Sequence, residues 1–451
     1  MKRMPLEGVR IITIEDFLAL PWGTKMLADL GAEVILVQSH KRVGTRLAGA
    51  FSGVLDNKLG GKFWNRNGRN FAFSRNKLML TLDLSKPKGV EILKELVKIS
   101  DVVTQNFRPG AMKRLGLDYY SLRKVKPDLI YLSSSGYGEE GIWEGYGAFA
   151  RTIDGMCGLS NLCGYIGGEP QRANPSYIDT TQGWNNAIAV LMALYYRRRT
   201  GKGQWIDNSM YEVGVTCIGE ALMDYQMNDR IAPRPGNRHS SWAPHGCYKC
   251  RGDDKWVTIV ARSDKEWEDL CSAMGSPSWT KDKKFAGSLS RWKNQDELDK
   301  KIEEWTSNKD QYEVMRLLQG VGVPSGPVLD AKGLLLDPHL KERDFFPRFK
   351  GNNDLGESGA RPCVNLPFKL SLTPSSIRFH DTLGGHNEYI LSKLLGKSAD
   401  EIAELRKEGI ISEEPVIPEG FTPQPIELER LKEVGTIRDY DKNFREILDI
   451  K

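Results

Sequence analysis

The first 140 residues alternate between short β-branched runs and amphipathic helical patterns, and this alternation constrains the fold most. The runs GVRIITI, AEVILVQ and DVVTQNF are typical of strands, and residues 118–136 fit a helix followed by a strand. PWGTKMLADLG and KPKGVEILKELVKIS fit helices between strands, the first with Pro21 near its start and Gly31 at its end. Repeated β-α-β units predict an α/β fold with a parallel, doubly wound sheet, whose ligand crevice lies beyond the carboxyl ends of the strands.

Charge and hydropathy exclude several classes of protein. The net charge of +5 is spread along the chain, without the concentrated basic stripe of nucleic-acid-binding proteins. No apolar run reaches the roughly 18 residues that a membrane helix needs. The basic and apolar start continues directly into Glu15 and Asp16, so we interpret it as a first strand and not as a signal peptide. We expect a cytoplasmic protein with a small anionic ligand, and neither nucleic acid nor membrane as a partner.

Cysteine and histidine usage argues against two kinds of catalytic centre. The seven cysteines are scattered, and Cys247 and Cys250 form a single CxxC without the second pair that a zinc site needs. We interpret this CxxC as two positions of a β-hairpin, and we expect no metal. No histidine occurs between Lys41 and Arg238, so this region cannot supply a Ser-His-Asp triad.

A G-x-G-x-x-G pattern at Gly136, Gly138 and Gly141 follows a predicted strand. A dinucleotide-binding fingerprint of this kind opens a helix whose N-terminus holds a pyrophosphate. Here more glycine follows instead of a clear helix, and Glu139 and Glu140 would repel phosphate. A nicotinamide dehydrogenase is therefore disfavoured, and we expect a flexible turn beside a ligand.

Two strand-end segments carry positive charge. TQNFRPGAMKRLG leaves a strand and enters a short helix, and SRNKLMLTLDL begins just before another strand. Free amides at a helix start attract anions. Together these segments predict a cradle for a phosphorylated ligand, although a solvated basic turn remains open. The basic residues concerned are Arg75, Lys77, Arg108, Lys113 and Arg114.

Asp179 stands in front of a long helical pattern and admits two interpretations. Aspartate is a favoured N-cap residue, and Gln182 occupies the capping-box position. A carboxylate at a helix start can also be a nucleophile that attacks an activated acyl group, and the positive end of the helix favours its ionised form. The predicted buried face of this helix comprises Trp184, Ile188, Leu191, Leu194 and Tyr195.

In their order and spacing, several segments resemble the family III CoA-transferases of the CaiB/BaiF type, including the formyl-CoA transferases. The resemblance extends over nearly the whole chain and rests on PLEGVRIITI, MLADLGAEVILV, NFRPGAMKRLGLDY, PDLIYLSSSGYG and TGKGQWIDNSMYE. It implies a large Rossmann-like parallel-sheet domain, a smaller α+β domain and an interlocked dimer. The implied boundaries are 1–225 for the first part of the CoA-binding domain, 226–335 for the small domain with linkers, and 336–451 for the return to the large domain and the tail.

The same resemblance implies roles for individual residues. Asp179 matches the catalytic aspartate. The positions that match CoA contacts are Phe17, Leu18, Ala19, Lys77, Asn106, Phe107, Ala111, Arg114 and Met210. Tyr146 and Phe149 are expected in the substrate pocket. Residues 235–246 match a glycine-containing lid loop, which includes Gly236, Asn237 and Gly246. Because Phe149 and Ala150 replace polar residues of oxalate-type members, we expect an aromatic or otherwise bulky acid.

The implied activity is that of a CoA-transferase (EC 2.8.3.-). CoA moves from an acyl-CoA donor, with succinyl-CoA as a reasonable family-level choice, to a carboxylic acid that is aromatic or arylsuccinate-like. The implied intermediates on Asp179 are an anhydride and an aspartyl-CoA thioester. CoA and acyl-CoA are substrates, no tightly bound cofactor is expected, and the assembly is a homodimer or a heteromer with a related subunit.

Two alternatives within the resemblance remain. A 2-methylacyl-CoA racemase needs an acid and a base on opposite faces of the reacting carbon, and it typically uses a histidine in a stretch that reads GYGAFARTID here. Racemisation in deuterated water would incorporate deuterium, whereas CoA transfer would not. The other alternative is a subunit of a heteromeric CoA-transferase.

Overall fold

The computed structural model describes residues 4–42, 46, 53–173, 176–349, 359–378, 382–421 and 427–450. The chain forms two compact units, each with its own hydrophobic core. The first unit comprises residues 1–158, 174–219 and 338–451, and the second comprises 159–173 and 220–337. The predicted α/β class is confirmed.

A six-stranded parallel sheet forms the centre of the first unit, in the order β3-β2-β1-β4-β5-β6. Its strands are rich in β-branched residues because both faces are covered, as in other parallel sheets. The prediction of a parallel, doubly wound sheet is therefore confirmed. The strands are β1 Arg10–Ile14, β2 Glu33–Gln38, β3 Lys77–Thr81, β4 Val102–Gln105, β5 Ile130–Ser135 and β6 Trp205–Ser209.

Helices cover both faces of this sheet, and we number them along the whole chain. In the first unit they are α1 Ala19–Asp29, α2 Gly68–Phe73, α3 Pro87–Lys98, α4 Ala111–Arg114, α5 Tyr119–Arg123, α6 Ala150–Met156, α8 Tyr177–Thr200, α9 Met210–Thr216, α16 Pro338–Glu342, α17 Asn387–Tyr389, α18 Ala399–Lys407, α19 Leu428–Glu433 and α20 Phe444–Ile447. Residues of α1 and α8 pack on one face of the sheet, and residues of α3 and α18 pack on the other.

Helices α1 and α8 approach closely through two glycines. A Cβ atom at Gly183 would lie 2.6 Å from Cδ1 of Trp22, and one at Gly23 would lie 2.6 Å from the carbonyl oxygen of Gly183. The predicted buried face of α8 is therefore wrong in part, since Ile188 is 52% exposed and Tyr195 is 63% exposed. The buried face includes Gly183, Ala187 and Ala193, and Gly183 allows the two backbones to come together.

A buried carboxylate anchors the C-terminal end of α1. Asp29 accepts hydrogen bonds from Nη2 of Arg75 at 2.7 Å and from Nδ2 of Asn76 at 2.8 Å, and it also pairs with Lys25 at 3.3 Å. Burial lowers the pKa of Lys25 to about 8. Arg75 is 1% exposed. Its expected place in a phosphate cradle is therefore wrong, because its guanidinium is committed to Asp29.

The second unit is built around a small antiparallel sheet of β7 His245–Lys249, β8 Trp256–Val260 and β9 Ser325–Pro327. Its core is formed by this sheet and the helices that pack on it. The predicted hairpin is confirmed, with Cys247 on β7 and Cys250 directly after it. The helices are α7 Leu159–Leu162, α10 Gly219–Asn228 (whose first residue belongs to the first unit), α11 Asp264–Ala273, α12 Ser288–Lys293, α13 Gln295–Thr306, α14 Gln311–Gln319 and α15 Ala331–Leu336.

The described residues include neither a membrane-spanning helix nor a cluster of metal ligands. None of their helices combines the length and the apolar character that crossing a bilayer requires. Within the same ranges, no group of three or more histidine, cysteine, aspartate or glutamate side chains is arranged to hold a metal ion.

Two further short strands, β10 Arg348–Phe349 and β11 Arg361–Pro362, form an antiparallel pair in the first unit.

The contact between α1 and α8 predicts that alanine substitutions at two helical glycines change the free energy of unfolding in opposite directions. Replacing glycine by alanine inside a helix normally stabilises it by up to about 1 kcal/mol. Gly155→Ala should show this gain, because the added methyl group meets nothing within 4 Å. Gly183→Ala should instead lower the free energy of unfolding, because its Cβ meets Trp22 and the backbone of Ala19. Urea denaturation of both variants measures the difference, and equal stabilisation by both would contradict the close contact.

The buried pair of Asp29 and Arg75 generates a second prediction. Arg75→Met leaves a buried carboxylate without its bidentate partner and should cost about 3–5 kcal/mol of unfolding free energy. The matched control is Lys301→Met, which removes an i,i+3 surface pair with Glu304 and should cost less than about 0.5 kcal/mol. Denaturant midpoints report both values. Similar small losses in the two variants would show that Asp29 is not held as described.

Candidate active site

The order of the strands locates a crevice between β1 and β4. The chain leaves these neighbouring strands towards opposite sides of the sheet, and ligands of open α/β sheets bind beyond the carboxyl ends at such a reversal. Asp16 follows β1 and Asn106 follows β4. The backbone N–H of Asp16 donates to Oδ1 of Asn106 at 3.0 Å, and Nδ2 of Asn106 donates to the carbonyl oxygen of Asp16 at 2.7 Å. The two predicted contact segments, 17–19 and 106–107, therefore begin side by side.

Phe17 is held in an unusual conformation at this crevice. Its φ angle is 58°, a left-handed value that costs free energy for a bulky residue and is concentrated at functional sites. Its ring is 46% exposed and packs edge-on against Phe149, with 5.3 Å between the ring centroids. Leu18 is the N-cap of α1, and Ala19 is the first residue of this helix. This loop thus keeps an aromatic ring at the surface of the crevice.

A buried ion pair supports the loop from below. Oε2 of Glu15 accepts hydrogen bonds from the hydroxyls of Thr13 at 2.7 Å and Thr24 at 2.6 Å, and Oε1 lies 2.5 Å from Nζ of Lys77. Lys77 is fully buried, and burial lowers its pKa. The geometry gives Lys77 the role of fixing Glu15 and offers no exposed atom of its side chain to a ligand.

Arg69 lies beside the loop that follows β1. This residue lies on α2, is buried, and places Nη2 at 3.5 Å from Oδ1 of Asp16. Burial lowers the pKa of Arg69, and the negative charges of Asp16, Glu15 and Asp179 oppose this shift. Sequence patterns do not reveal Arg69, because its isolated position before β3 carries no motif. The signal that the sequence does offer is the pair of acids directly after β1, Glu15 and Asp16, which indicates that charged side chains lie at this end of the sheet.

Asp179 is the third residue of α8 and is partly buried. Since α8 begins at Tyr177, the interpretation of Asp179 as the N-cap is wrong. Gln182 is not a capping-box partner either, because it is buried and donates from Nε2 to Oγ of Ser134 at 3.1 Å and to the carbonyl oxygen of Asn208 at 2.9 Å. These bonds tie the first turns of α8 to β5 and β6, so the carboxylate is presented from a fixed support.

The arrangement favours a reactive anion at the position of Asp179. The N–H groups in the first turn of a helix have no acceptor within the helix and carry partial positive charge. Both α1 and α8 begin at the carboxyl edge of the sheet, in tight contact with each other. An oxyanion formed on an acyl group at these helix starts would find N–H donors at the same place.

A cavity of about 480 Å³ lies at the carboxyl ends of β1 to β4. Phe107 and Ala111, two predicted CoA contacts, line it, as do Lys41 and Arg42. Nζ of Lys41 lies 2.6 Å from Oδ2 of Asp83. Desolvation by burial is the largest single influence on the pKa of Asp83 and raises it. The contact with Lys41 acts in the opposite direction, and the pKa of Asp83 is lowered overall. Arg114 is exposed at the end of α4, outside the lining of this cavity.

Exposed aromatic side chains surround the end of β5. The ring of Tyr137 packs against Trp143, Tyr146 and Tyr211, with centroid separations of 5.9 to 6.3 Å. Tyr146 is 60% exposed and Phe149 is 61% exposed. Met210, beside Tyr211, begins α9. Three predicted site residues thus lie on the segments that follow β5 and β6.

The G-x-G-x-x-G stretch forms a turn in this region. The N–H of Gly138 donates to Oγ of Ser135 at 2.9 Å, and the next helix begins only at Ala150. Glu139 accepts a hydrogen bond from Nε2 of Gln105 at 3.0 Å, and burial raises the pKa of Glu139. The stretch is a turn, as predicted, while its predicted flexibility and its place beside a ligand stay predictions. The helix start that a pyrophosphate would need does not follow it directly.

The predicted lid residues lie in the second unit. The N–H of Gly236 donates to the carbonyl oxygen of Gly164 at 2.9 Å, and Nδ1 of His245 lies 2.7 Å from the carbonyl oxygen of Asn237. Gly246 is the second residue of β7. Asn237 and Gly246 line a cavity of about 420 Å³ within this unit.

Comparisons with known proteins identify the family of this chain. The family model "CoA-transferase family III" matches residues 6–387. The succinyl-CoA–D-citramalate CoA-transferase of Chloroflexus aurantiacus is 33% identical, over 90% of this chain and 98% of the relative. The β subunit of the succinyl-CoA–L-malate CoA-transferase of the same organism is 32% identical over the same shares.

A solved structure extends the likeness to three dimensions. A CaiB/BaiF family protein from Brucella suis superposes with a TM-score of 0.78 at 28% identity, covering 87% of this chain and all of that protein. The family model, the curated relatives and this structure point to the same group of enzymes. The chain belongs to CoA-transferase family III, and it is a transferase of CoA groups.

Proposed function

We propose that this protein transfers CoA from succinyl-CoA to a carboxylic acid, with Asp179 as the nucleophile. The observation that carries the proposal is the position of Asp179 in the first turn of α8, a helix that the buried hydrogen bonds of Gln182 fix to β5 and β6. Succinyl-CoA is the donor named for both Chloroflexus relatives. A nucleophile of this kind divides one difficult transfer into easier covalent steps.

The first half-reaction loads CoA onto the enzyme. The Asp179 carboxylate attacks the thioester carbonyl of succinyl-CoA, the C–S bond breaks, and CoA leaves as a thiolate with a mixed anhydride on Asp179. The thiolate then attacks the aspartyl carbonyl of this anhydride. Succinate leaves as a carboxylate, and Asp179 becomes a CoA thioester.

The second half-reaction repeats these steps in reverse order with another acid. The acceptor carboxylate attacks the aspartyl thioester and expels the thiolate, which then attacks the acceptor side of the new anhydride. Acceptor-CoA and the free Asp179 carboxylate result. Each step conserves one negative charge and transfers no proton. The chemistry therefore needs no histidine, which agrees with the absence of histidine between Lys41 and Arg238.

The N–H groups at the starts of α1 and α8 are suited to stabilise the oxyanion of each tetrahedral intermediate. The anhydride needs protection from water, because hydrolysis would waste the acyl group. We assign this protection to the glycine-containing loop with Gly236, Asn237 and Gly246. Aromatic rings of Tyr146 and Phe149 add apolar cover on the first unit.

We place CoA along the carboxyl edge of the sheet. Its nucleotide end fits the cavity lined by Phe107 and Ala111, and its pantetheine arm follows the loop of Phe17, Leu18 and Ala19 with Asn106 beside it. Met210 lies at the thioester end in this arrangement, and Arg114 is free to meet a phosphate from outside the cavity. We leave Lys77 out of this set because its ammonium is buried on Glu15.

For the acceptor we propose a dicarboxylic acid with a bulky or aromatic group, in the manner of an arylsuccinate. The exposed rings of Phe17, Tyr146 and Phe149 support this choice, because they offer flat apolar surface at the crevice. The acids named for the two relatives, citramalate and malate, carry a second carboxylate that an arylsuccinate shares. The reacting end of the acid then meets Asp179 while its apolar part lies on the rings.

We further propose that the enzyme works as an interlocked dimer, either of two identical chains or with a related subunit. Every residue of α10 is at least partly exposed, and Met223, Tyr225 and Met227 are more than half exposed. Apolar surface of this kind is typical of an interface. One of the Chloroflexus relatives is itself named as a subunit.

The nucleophile role predicts the behaviour of an Asp179→Asn variant. The amide keeps the size of the side chain but is a poor nucleophile, so kcat should fall by about 10⁴-fold or more, as for other lost nucleophiles. Binding of CoA, measured by calorimetry, should change little. A CoA-transfer assay with succinyl-CoA and a panel of acids measures the loss.

The matched control for this experiment is Asp400→Asn, which changes an exposed acid in the first turn of α18. It should retain full activity. Near-native turnover of Asp179→Asn would reduce Asp179 to a structural residue and remove the proposed mechanism.

The aromatic surface predicts the preference among acceptor acids. With succinyl-CoA as donor, wild-type kcat/KM should be higher for phenylsuccinate or benzylsuccinate than for malate. Phe149→Ala should lower kcat/KM for the aryl acids by about 5- to 30-fold, the loss expected for one aromatic contact, and should leave malate nearly unchanged. Thermal melting controls for folding. Equal losses for both kinds of acid would contradict an aromatic acceptor subsite.

A further inference from the structure

Arg46 is a buried cation whose hydrogen bonds all go to neutral oxygen atoms. It is 2% exposed. Nε and Nη2 donate to Oε1 of Gln38 at 3.2 and 2.7 Å, and Nη1 donates to Oδ1 of Asn65 at 3.2 Å and to the carbonyl oxygen of Trp64 at 3.5 Å. Among the described residues, no carboxylate forms an ion pair with this guanidinium. A buried charge without a counter-charge is unfavourable, because it has lost its hydration.

The amide of Asn65 places a further donor beside this guanidinium. Oδ1 accepts from Nη1 of Arg46 and from the N–H of Leu383 at 3.0 Å, and these two donors fix which end of the amide is the oxygen. Nδ2 is buried and has no hydrogen-bond partner within the part of the chain that the structure describes. Buried donors without an acceptor are rare in folded proteins, so this one points to a group that binds here.

The cavity of about 480 Å³ that Arg46 helps to line has an excess of positive charge. Every acid in its lining is paired with a cation of its own, whereas Arg42 and Arg46 have no ion pair among the described residues. Arg42 is exposed, so water and salt screen its charge, and Arg46 is buried. The pairs are Glu15 with Lys77, Asp16 with Arg69, and Asp83 with Lys41.

Burial is the largest influence on the pKa of Arg46. It acts together with the charge of Arg69 and against that of Asp16, and it lowers this pKa to about 9. The side chain therefore remains cationic at neutral pH. A cavity with two unpaired arginines is matched by an anionic group with more than one charge, and a phosphate has this charge and several oxygen acceptors.

We propose that Arg46 and Asn65 bind a phosphate group at the nucleotide end of CoA. The phosphate supplies the counter-charge that the guanidinium lacks, and its oxygen atoms accept from the remaining N–H of Nη2 and from Nδ2 of Asn65. This proposal rests on the placement of CoA in this cavity under the proposed function, and it is independent of the nucleophilic role of Asp179.

A phosphate contact of this kind affects binding and leaves the chemical step alone. The phosphate is not altered in the reaction, so its interaction with Arg46 is the same in the bound substrate and in the transition state. Removing such an interaction raises KM for the acyl-CoA donor and leaves kcat nearly unchanged. A residue that only supports the fold would not confine its effect to ligands that carry phosphate.

Asn65→Asp is the sharpest test. The aspartate keeps the size of the side chain and an oxygen that accepts from Arg46 and Leu383, and it places a permanent carboxylate beside the guanidinium. The phosphate must then compete with this internal anion, so the calorimetric Kd for CoA should rise about 10- to 100-fold, the effect of losing one charge-assisted hydrogen bond. The midpoint of urea denaturation should be kept or raised, because a buried cation gains a partner.

The matched control is Asn308→Asp, which makes the same change of charge at an exposed position of the second unit. It should bind CoA as the wild type does. Arg46→Lys keeps a cation without the planar fork and should weaken CoA binding less than Asn65→Asp does. If Asn65→Asp does not fold, as judged by circular dichroism, Arg46→Lys decides.

Three ligands identify the phosphate concerned. A loss of affinity for CoA but not for dephospho-CoA assigns the phosphate monoester on the ribose, and an equal loss for both assigns the diphosphate. In either case, kcat/KM for succinyl-pantetheine, which carries no phosphate, should be the same in Asn65→Asp and in the wild type.

Unchanged affinity for CoA in a folded Asn65→Asp protein would overturn the inference, and so would an equal loss of kcat/KM for succinyl-pantetheine. A wild-type protein without measurable affinity for CoA would remove the placement of CoA together with this inference. The binding measurements need no turnover. Full activity of Asp179→Asn beside a weakened Kd of Asn65→Asp would therefore remove the proposed mechanism and leave the phosphate site in place.

Discussion

The close contact between α1 and α8 is the constraint on which the candidate site depends. Gly23 and Gly183 remove the side chains that would otherwise separate the two helices. Because both helices run back from the carboxyl edge of the sheet, the contact brings their two N-terminal ends together at that edge. Asp179 lies one turn before Gly183. Its carboxylate is therefore positioned by backbone packing, and no flexible loop holds it.

Two groups of charged side chains lie near the contact between α1 and α8. Lys77 and Glu15 neutralise each other beneath the loop that carries Phe17. Arg69 is a second buried cation here, and its Nη2 lies 3.5 Å from Oδ1 of Asp16. A reaction that passes one negative charge between an enzyme carboxylate, a thiolate and a free acid suits such a site, since the protein supplies fixed positive charge and needs to move no proton.

Periodicity in the sequence predicts the sheet well and the role of single side chains poorly. The β-branched runs and the glycines at turns are local signals, and β1 to β5 lie where these signals place them, whereas β6 falls in a stretch that was predicted to be helical. The buried face of α8 could not be predicted in this way, because its small residues serve a neighbour that is distant in the chain. Arg75 and Lys77 were predicted to contact a ligand. In the structure, Arg75 is paired with the buried carboxylate of Asp29, and Lys77 is paired with that of Glu15. Arg69 had no signal at all, because its importance arises only when α2 meets the end of β1.

The central claim is that CoA becomes bonded to the side chain of Asp179. The most direct measurement mixes the wild-type enzyme with succinyl-CoA, treats it with hydroxylamine, and maps the modified peptide by tandem mass spectrometry. The account predicts an aspartyl hydroxamate at Asp179 that forms only when the acyl-CoA is present. A hydroxamate on another residue, or an unmodified chain under conditions of full turnover, would contradict it.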